Sequence, residues 1–243
     1  MPGIFYGVGV GPGDPGLLTL RAVQVLQEAD VIITTDSRKQ YRALTIIRPY
    51  LKDNVQTVEL ILPKNYPADT ANSISSENKR IILDFLCRGK QIVFPTGGDP
   101  MLYSTYTYFF RLLQKEGYPL VTVPGVPFFC AVAARAGVPL AEEDEIISIV
   151  PAAVSREKMS EAIRYSESVL FLRAGNNVSQ VIGCLEEAGC LSHSVLVSKA
   201  GFRDEKVLTD LGNLEAEDIH FISTILTQKP RKESAEQDAG LQP

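Results

Sequence analysis

Short apolar runs alternate with helix-period segments along most of this chain, and several runs end in turns built from glycine and proline. Alternation of this kind leaves few folds open, because strand, crossover helix and next strand pack as right-handed βαβ units that build a parallel sheet. The first cycle runs from a strand at Ile4 to Val10 through the turn Gly11-Pro12-Gly13-Asp14-Pro15. It continues into a helix over Thr19 to Ala29, with Leu20, Val23, Val25 and Leu26 at helical spacing, and ends in a strand at Val31 to Ile33. A second cycle predicts a helix around Tyr41 to Tyr50, a strand at Val55 to Leu60, a loop from Pro63 to Thr70, and a helix from Ser75 to Arg88 stopped by Gly89. The strand Gln91 to Phe94 then runs into Pro95-Thr96-Gly97-Gly98-Asp99-Pro100, and an aromatic-rich helix over Tyr103 to Lys115 follows.

Past Gly117-Tyr118-Pro119 the pattern loosens. A strand at Leu120 to Val123, a turn at Pro124-Gly125 and an Ala-rich helix to Ala136 precede the acidic connector Glu142 to Glu145. Further strands are expected at Ile146 to Val150, Ser168 to Leu172, Ser194 to Ser198 and Phe221 to Leu226, with a helix over Val178 to Ala188. The pattern reads as two α/β domains, residues 1–117 and 118–229, followed by a polar, aperiodic tail over 230–243 that is expected to be disordered.

Charge and composition remove several functions. With 24 Lys plus Arg against 29 Asp plus Glu the formal charge is -5, and there is no dense basic run to displace counterions from a nucleic acid. The longest uncharged run, Gly117 to Ala134, is broken by Pro119, Pro124, Gly125 and Pro127, so no membrane span is expected. The N-terminus lacks the positive start of a signal peptide. Cys87, Cys130, Cys184 and Cys190 form no CxxC pair, and His193 and His220 are the only histidines, so neither a metal site nor a disulfide framework is expected. A reducing, cytoplasmic setting fits.

Chemistry concentrates in the turns. Gly7-Val8-Gly9-Val10-Gly11-Pro12-Gly13 approaches the dinucleotide fingerprint but fails it, since Pro12 or Asp14 stands where the third glycine belongs. A tight strand-to-helix turn needing positive φ accounts for these glycines without a nucleotide. Gly97 and Gly98 would let a flat ligand approach bare backbone at a strand's carboxyl end. Asp99 has two readings of equal weight: an acceptor for a ligand's hydroxyl, amide or ammonium groups, or a turn and cap aspartate.

The stretches GVGVGPGDPGLLTL from Gly7, EADVI from Glu28, GGDP from Gly97, VPGV from Val123 and AARAGVPL from Ala133 occur in the order found in tetrapyrrole methylases. The chain resembles that family from Phe5 to Thr227. The resemblance implies two α/β domains with a cleft between them, a mainly parallel N-terminal sheet, a mixed C-terminal sheet, and S-adenosylmethionine as methyl donor. Ser37-Arg38-Lys39, Met101-Leu102-Tyr103-Ser104-Thr105, Val169 to Arg173 and Phe221 to Leu226 are most similar to the branch that methylates C20 of precorrin-2 or its cobalt form, cobalt-factor II. Leu62-Pro63-Lys64 and Leu172-Arg173 depart from that branch, which usually has Phe-Pro-Met and Met-Lys there. Another regiospecificity within the family, on uroporphyrinogen III or another precorrin, is the neighbouring reading; a noncatalytic nucleotide-binding module is the distant one.

By resemblance, Pro12, Gly97, Gly98, Asp99, Leu102, Ser104, Thr105, Pro127, Phe128, Leu172 and Ala200 hold the methyl donor. For Ser104 and Thr105 a first-turn helix cap is compatible with that role. Methyl transfer from a sulfonium is an in-line displacement that asks for alignment in a dry site and no metal. The scarcity of histidine suits it. The substrate is a polycarboxylate, so basic side chains must converge locally on an acidic protein. Arg38, Lys39, Lys64 and Arg173 are the expected substrate contacts, with the two arginines preferred as bidentate anchors. Asp36 aligns with an acidic residue proposed as proton acceptor in the sirohaem branch. The family likeness also implies a homodimer.

Overall fold

The computed structural model describes residues 2–35, 38–64, 66–215 and 218–229, with residues 38–42 described by their backbone. The tail over 230–243, expected to be disordered, lies outside the described residues. The chain divides into two compact units, Met1–Ala131 and Val132–Pro243.

In the first unit β1 (Ile4–Gly9), β2 (Val31–Thr35), β3 (Gln56–Leu60), β4 (Gln91–Thr96) and β5 (Leu120–Val123) form a parallel sheet in the order β3-β2-β4-β1-β5. Alternation across each strand splits its side chains between two cores. Tyr6, Val8, Ile32 and Val93 pack on one face against Ala22, Val25 and Leu26 of α1 (Leu20–Glu28) and Ala43, Ile46 and Ile47 of α2 (Arg38–Ile47). Phe5, Val31, Ile33, Ile92 and Phe94 pack on the other against Ile82 and Leu86 of α3 (Ala68–Cys87) and Tyr106, Phe109 and Leu113 of α4 (Tyr106–Leu113).

That arrangement positions the site. β1 and β4 lie side by side, yet the helix after β1 joins one core and the helix after β4 joins the other. Connections that leave to opposite faces open a crevice at the carboxyl ends of the two strands, where doubly wound sheets bind ligands.

Tyr106 shows how tightly the second core is specified. Its side chain is fully buried, stacks on Phe5 with ring centroids 6.3 Å apart, and its hydroxyl meets Thr122 Oγ1 on β5 at 2.8 Å. Burial pushes its phenol above the ordinary value of 10.0, and the Thr122 hydrogen bond pulls weakly the other way. A raised pKa means that the folded state keeps its proton where the unfolded chain has lost it. This contribution to stability is intact below pH 10.0 and is lost as pH climbs through the folded value. Tyr106→Phe should therefore cost about 1 kcal/mol at neutral pH. It should also flatten the fall in melting temperature above pH 10; equal alkaline slopes for the two proteins would remove Tyr106 as the cause.

In the second unit β6 (Ile147–Pro151), β7 (Ser168–Leu172), β8 (Ser194–Ser198), β9 (Lys206–Leu208) and β10 (Thr224–Gln228) lie in the order β6-β7-β10-β8-β9. β6 pairs parallel to β7 and the remaining pairs are antiparallel, so the sheet is mixed. Met159 and Ile163 of α6 (Arg156–Tyr165) and Val181, Cys184 and Leu185 of α7 (Val178–Glu187) cover one face.

Several elements differ from the sequence reading. β5, placed in the second domain by a boundary after Gly117, pairs with β1 in the first sheet. α3 starts at Ala68, inside the expected loop, because its first turns bury nothing and only Asn78, Ile82 and Leu86 mark its inner face. The strand expected at Phe221 to Leu226 is β10, shifted to Thr224–Gln228. α6 and β9 had no counterpart in the reading. α6 is strongly polar and buries only Met159 and Ile163, one turn apart, too little to give a visible period. Among the described residues no helix is long and apolar enough to cross a membrane.

Candidate functional site

The carboxyl end of β1 meets that of β4 through the backbone. Val10 N donates to Thr96 O at 2.9 Å, and Gly98 N donates to Gly11 O at 2.8 Å. A third turn, Pro124-Gly125 after β5, closes onto the same spot. A Cβ on Gly9 would stand 2.5 Å from Gly125 N and 2.7 Å from Gly98 O, and one on Gly125 would stand 2.4 Å from Gly98 O. Three backbones thus touch where no side chain fits. Gly11 and Gly98 also hold φ of 73° and 71°, a region that side-chain-bearing residues avoid.

Asp99 links two of these turns. Its Oδ1 accepts from Met101 N at 2.8 Å, and its Oδ2 accepts from Gly125 N at 3.1 Å, twenty-six residues away. Ser104 is likewise engaged: its Oγ lies 2.9 Å from Thr96 Oγ1 and accepts from Tyr106 N at 3.0 Å, the cap role at the start of α4. Thr105 precedes the helix without a side-chain capping bond. Leu102 is half-buried in the preceding turn, with its N–H donating to Asp99 O at 3.4 Å.

Phe128 opens α5 (Phe128–Ala136) beside the β4 turn, and Pro127 O accepts from Cys130 N in that helix's first turn. A Cβ on Gly97 or Gly98 would stand 3.3 or 3.0 Å from the Phe128 ring. Gly97 itself is exposed. The β4 turn therefore exposes bare backbone at Gly97 next to an aromatic ring, while Gly98 is buried against that ring. Burial pushes the Cys130 thiol up, away from the thiolate a nucleophile would need.

Pro12 is buried between Gly11 and Gly13. Beyond it the chain makes a 3-10 turn, Pro15–Leu17, capped by Asp14 Oδ1 accepting from Gly16 N, and α1 begins only at Leu20 with Thr19 as cap. The glycine turn thus does not open a helix, so its amides lack the helix-terminus setting of a dinucleotide fingerprint.

The other expected contacts lie apart in the sequence. Lys64 is exposed in the turn after β3. Leu172 ends β7, Arg173 follows it in the left-handed region at φ 57°, and Ala200 is buried after β8, all three in the second unit. Asp36 lies outside the described residues, as do the side chains of Arg38 and Lys39, whose backbone opens α2 after β2. Gly9, Gly11 and Gly125 complete the turn cluster but were not among the expected site residues. Gly9 and Gly11 sit in the opening GVGVGPG stretch and Gly125 in VPGV, the signal that could have placed them there. Among the described residues no group of three or more His, Cys, Asp or Glu is placed to hold a metal ion.

Glycine turns gathered at the switch point of a parallel sheet define a doubly wound α/β protein. The chain belongs to the Tetrapyrrole (Corrin/Porphyrin) Methylases, whose family model matches residues 5–215. It is 30% identical to the cobalt-precorrin-2 C(20)-methyltransferase of Salmonella typhimurium, over 94% of this chain and 98% of that protein. It is 26% identical to the precorrin-2 C(20)-methyltransferase of a Sinorhizobium species, over 92% and 94% of the two chains. Among solved structures, a cobalt precorrin-4 methyltransferase superimposes with a TM-score of 0.74 at 25% identity, covering 93% of this chain and 94% of that one. The uroporphyrin-III C-methyltransferase of Thermus thermophilus, in a complex with S-adenyl homocysteine, shares the fold with a TM-score of 0.68 at 20% identity, covering 93% and 97%.

Proposed function

We propose that this chain is an S-adenosylmethionine-dependent methyltransferase acting at C20 of precorrin-2 or its cobalt form in cobalamin biosynthesis. The observation that carries the reading is the end-to-end likeness to the cobalt-precorrin-2 C(20)-methyltransferase of Salmonella typhimurium, which leaves almost none of either chain unmatched. The turn cluster supports the donor half of it. Main chain at Gly97, exposed beside the Phe128 ring, offers a neutral surface for the methionine or ribose part of the donor, with the buried Gly98 backing it. Pro12, Asp99, Leu102, Ser104, Thr105 and Pro127 are the further donor residues proposed in the first unit, and Leu172 and Ala200 those proposed in the second.

The substrate is a tetrapyrrole polycarboxylate, and Arg38, Lys39, Lys64 and Arg173 are its proposed anchors; each follows the carboxyl end of a strand by one to four residues, as ligand-binding positions in such sheets do. Guanidinium groups on Arg38 and Arg173 would bind carboxylates bidentately and offset the repulsion set by a net charge of -5. Asp36, just past the end of β2, is the proposed acceptor for the proton that leaves C20 after methyl addition. The protein is proposed to work in the cytoplasm as a homodimer, which light scattering would test directly.

The deciding experiment supplies S-adenosylmethionine with metal-free or cobalt-loaded precorrin-2 and locates the new methyl by mass spectrometry and NMR. One methyl at C20 is expected. A methyl at another carbon overturns the assignment and favours a different regiospecificity within the family. In the same assay Asp36→Ala should turn over at least tenfold more slowly, in line with the usual size of general-base contributions; a rate near wild type removes the proton-acceptor role.

A further inference from the structure

The geometry points to Asp99 as a positioning residue: its carboxylate clamps the β4 turn to the β5 turn and so shapes the donor site, without itself recognising the donor. The inference rests on the methyl-donor reading above. Each carboxylate oxygen already has a backbone donor, Met101 N at 2.8 Å on Oδ1 and Gly125 N at 3.1 Å on Oδ2. The first bond folds the turn locally. The second spans to a different strand end, at the one place where Gly9, Gly98 and Gly125 pack backbone against backbone.

Gly125 lies two residues past the last β1–β5 pair, Val8 with Val123, where the contact consists of glycines with no side chains to interlock, and the Asp99 carboxylate ties its amide to the β4 turn. A charged acceptor on an amide is stronger than a neutral one and fixes direction as well as distance. The clamp therefore sets the separation of Gly98 from Gly125, and with it the place of Phe128, three residues further on and beside Gly97 and Gly98. Ser104 repeats the pattern, with its hydroxyl committed to Thr96 and to the Tyr106 amide. The polar side chains of these turns serve the backbone, and the backbone is left to meet the ligand.

Three roles for Asp99 predict three different outcomes. A ligand contact loses affinity only for ligands carrying the contacted group, a purely global stabiliser leaves affinity unchanged while the protein is folded, and a clamp weakens every ligand of the turn alike. Asp99→Asn keeps the shape but turns one acceptor into an N–H donor facing a backbone N–H. Asp99→Ser can keep the local bond to Met101 and cannot reach Gly125.

Affinities for S-adenosylhomocysteine, its 2′-deoxy and 3′-deoxy forms, and 5′-methylthioadenosine, which lacks the amino-acid arm, should be measured by calorimetry well below each variant's melting temperature. Amide exchange at Gly125 should be measured in the ligand-free proteins. The expected result is a loss of about tenfold or more, equal across the four ligands within a factor of about two, and Gly125 exchange about tenfold faster in both variants, the size of one lost charge-assisted hydrogen bond. A loss that vanishes for one ligand makes Asp99 a direct contact and overturns the clamp, as does unchanged affinity or unchanged Gly125 exchange. If the wild type binds none of the four ligands, the methyl-donor reading fails, and Gly125 exchange alone decides whether the clamp exists.

Discussion

Gly9→Ala should abolish binding of S-adenosylhomocysteine and lower the melting temperature of the protein by roughly 6–12 °C, the shift that a strain of about 3 kcal/mol gives in a chain of this size. The new Cβ would sit 2.5 Å from Gly125 N, 2.6 Å from Gly125 Cα and 2.7 Å from Gly98 O. All three are main-chain atoms, so no rotamer change can make room. Relief requires the β5 turn to move off the β1 turn, which breaks the Asp99 to Gly125 bond of 3.1 Å and loosens the contact with Gly98. Fold and site therefore fail together. Calorimetry and thermal melting check this, and a variant that melts within about 2 °C of wild type while keeping its affinity would mean that the three backbones are not packed as described.

Gly7→Ala should destabilise as much, by a different route that leaves a signature. Gly7 faces the core that contains Phe5, and a Cβ there would stand 2.2 Å from Tyr106 Cε2 and 2.3 Å from its Cζ. The ring cannot swing away, because Phe5 and Phe110 flank it and its hydroxyl is tied to Thr122. Overpacking of a filled core typically costs about 1–3 kcal/mol, and this overlap belongs at or above the top of that range. Here, however, the obstacle is a side chain. Tyr106→Leu alone should cost about 3 kcal/mol through the cavity it leaves, and the double variant should recover at least about 1 kcal/mol relative to the sum of the singles. Additive losses in urea melts would show that the strain at Gly7 lies elsewhere. No such partner exists for Gly9, where the obstacle is backbone.

Much of the fold was legible because parallel α/β chains write their periods openly. Buried strands read as apolar runs, and α1 was legible from Leu20, Val23, Val25 and Leu26, although the structure turns Ala22, Val25 and Leu26 inward and leaves Leu20 85% exposed. Where an element buries little, the signal fails: α6 meets the core through Met159 and Ile163 alone, and the first turns of α3 bury nothing. The affiliation of β5 was hidden for another reason. Strand partners are set by long-range hydrogen bonds, here Phe5 to Leu120 through Val8 to Val123, and no local pattern encodes them.

The site divides the same way. Gly97, Gly98 and Asp99 could be singled out as candidates because glycines at the end of a buried strand carry a local meaning. The two readings of Asp99, ligand acceptor or turn aspartate, could not be separated, since its second partner, Gly125 N, is far off in sequence. Gly9 and Gly125 were visible as parts of motifs but not as atoms in contact.

The sequence by itself determined the alternating α/β architecture, the family, the glycine turns and the scarcity of histidine, since each depends on residue type and short-range spacing. Only the tertiary structure decided that β1 and β4 are neighbours with helices leaving to opposite faces, which makes their carboxyl ends the switch point of the sheet. It also decided that three glycines from separate strands share one contact and that Asp99 is bonded to two of the turns. Such facts are distances between residues remote in the chain, fixed by how the strands pair and by the room that missing side chains leave.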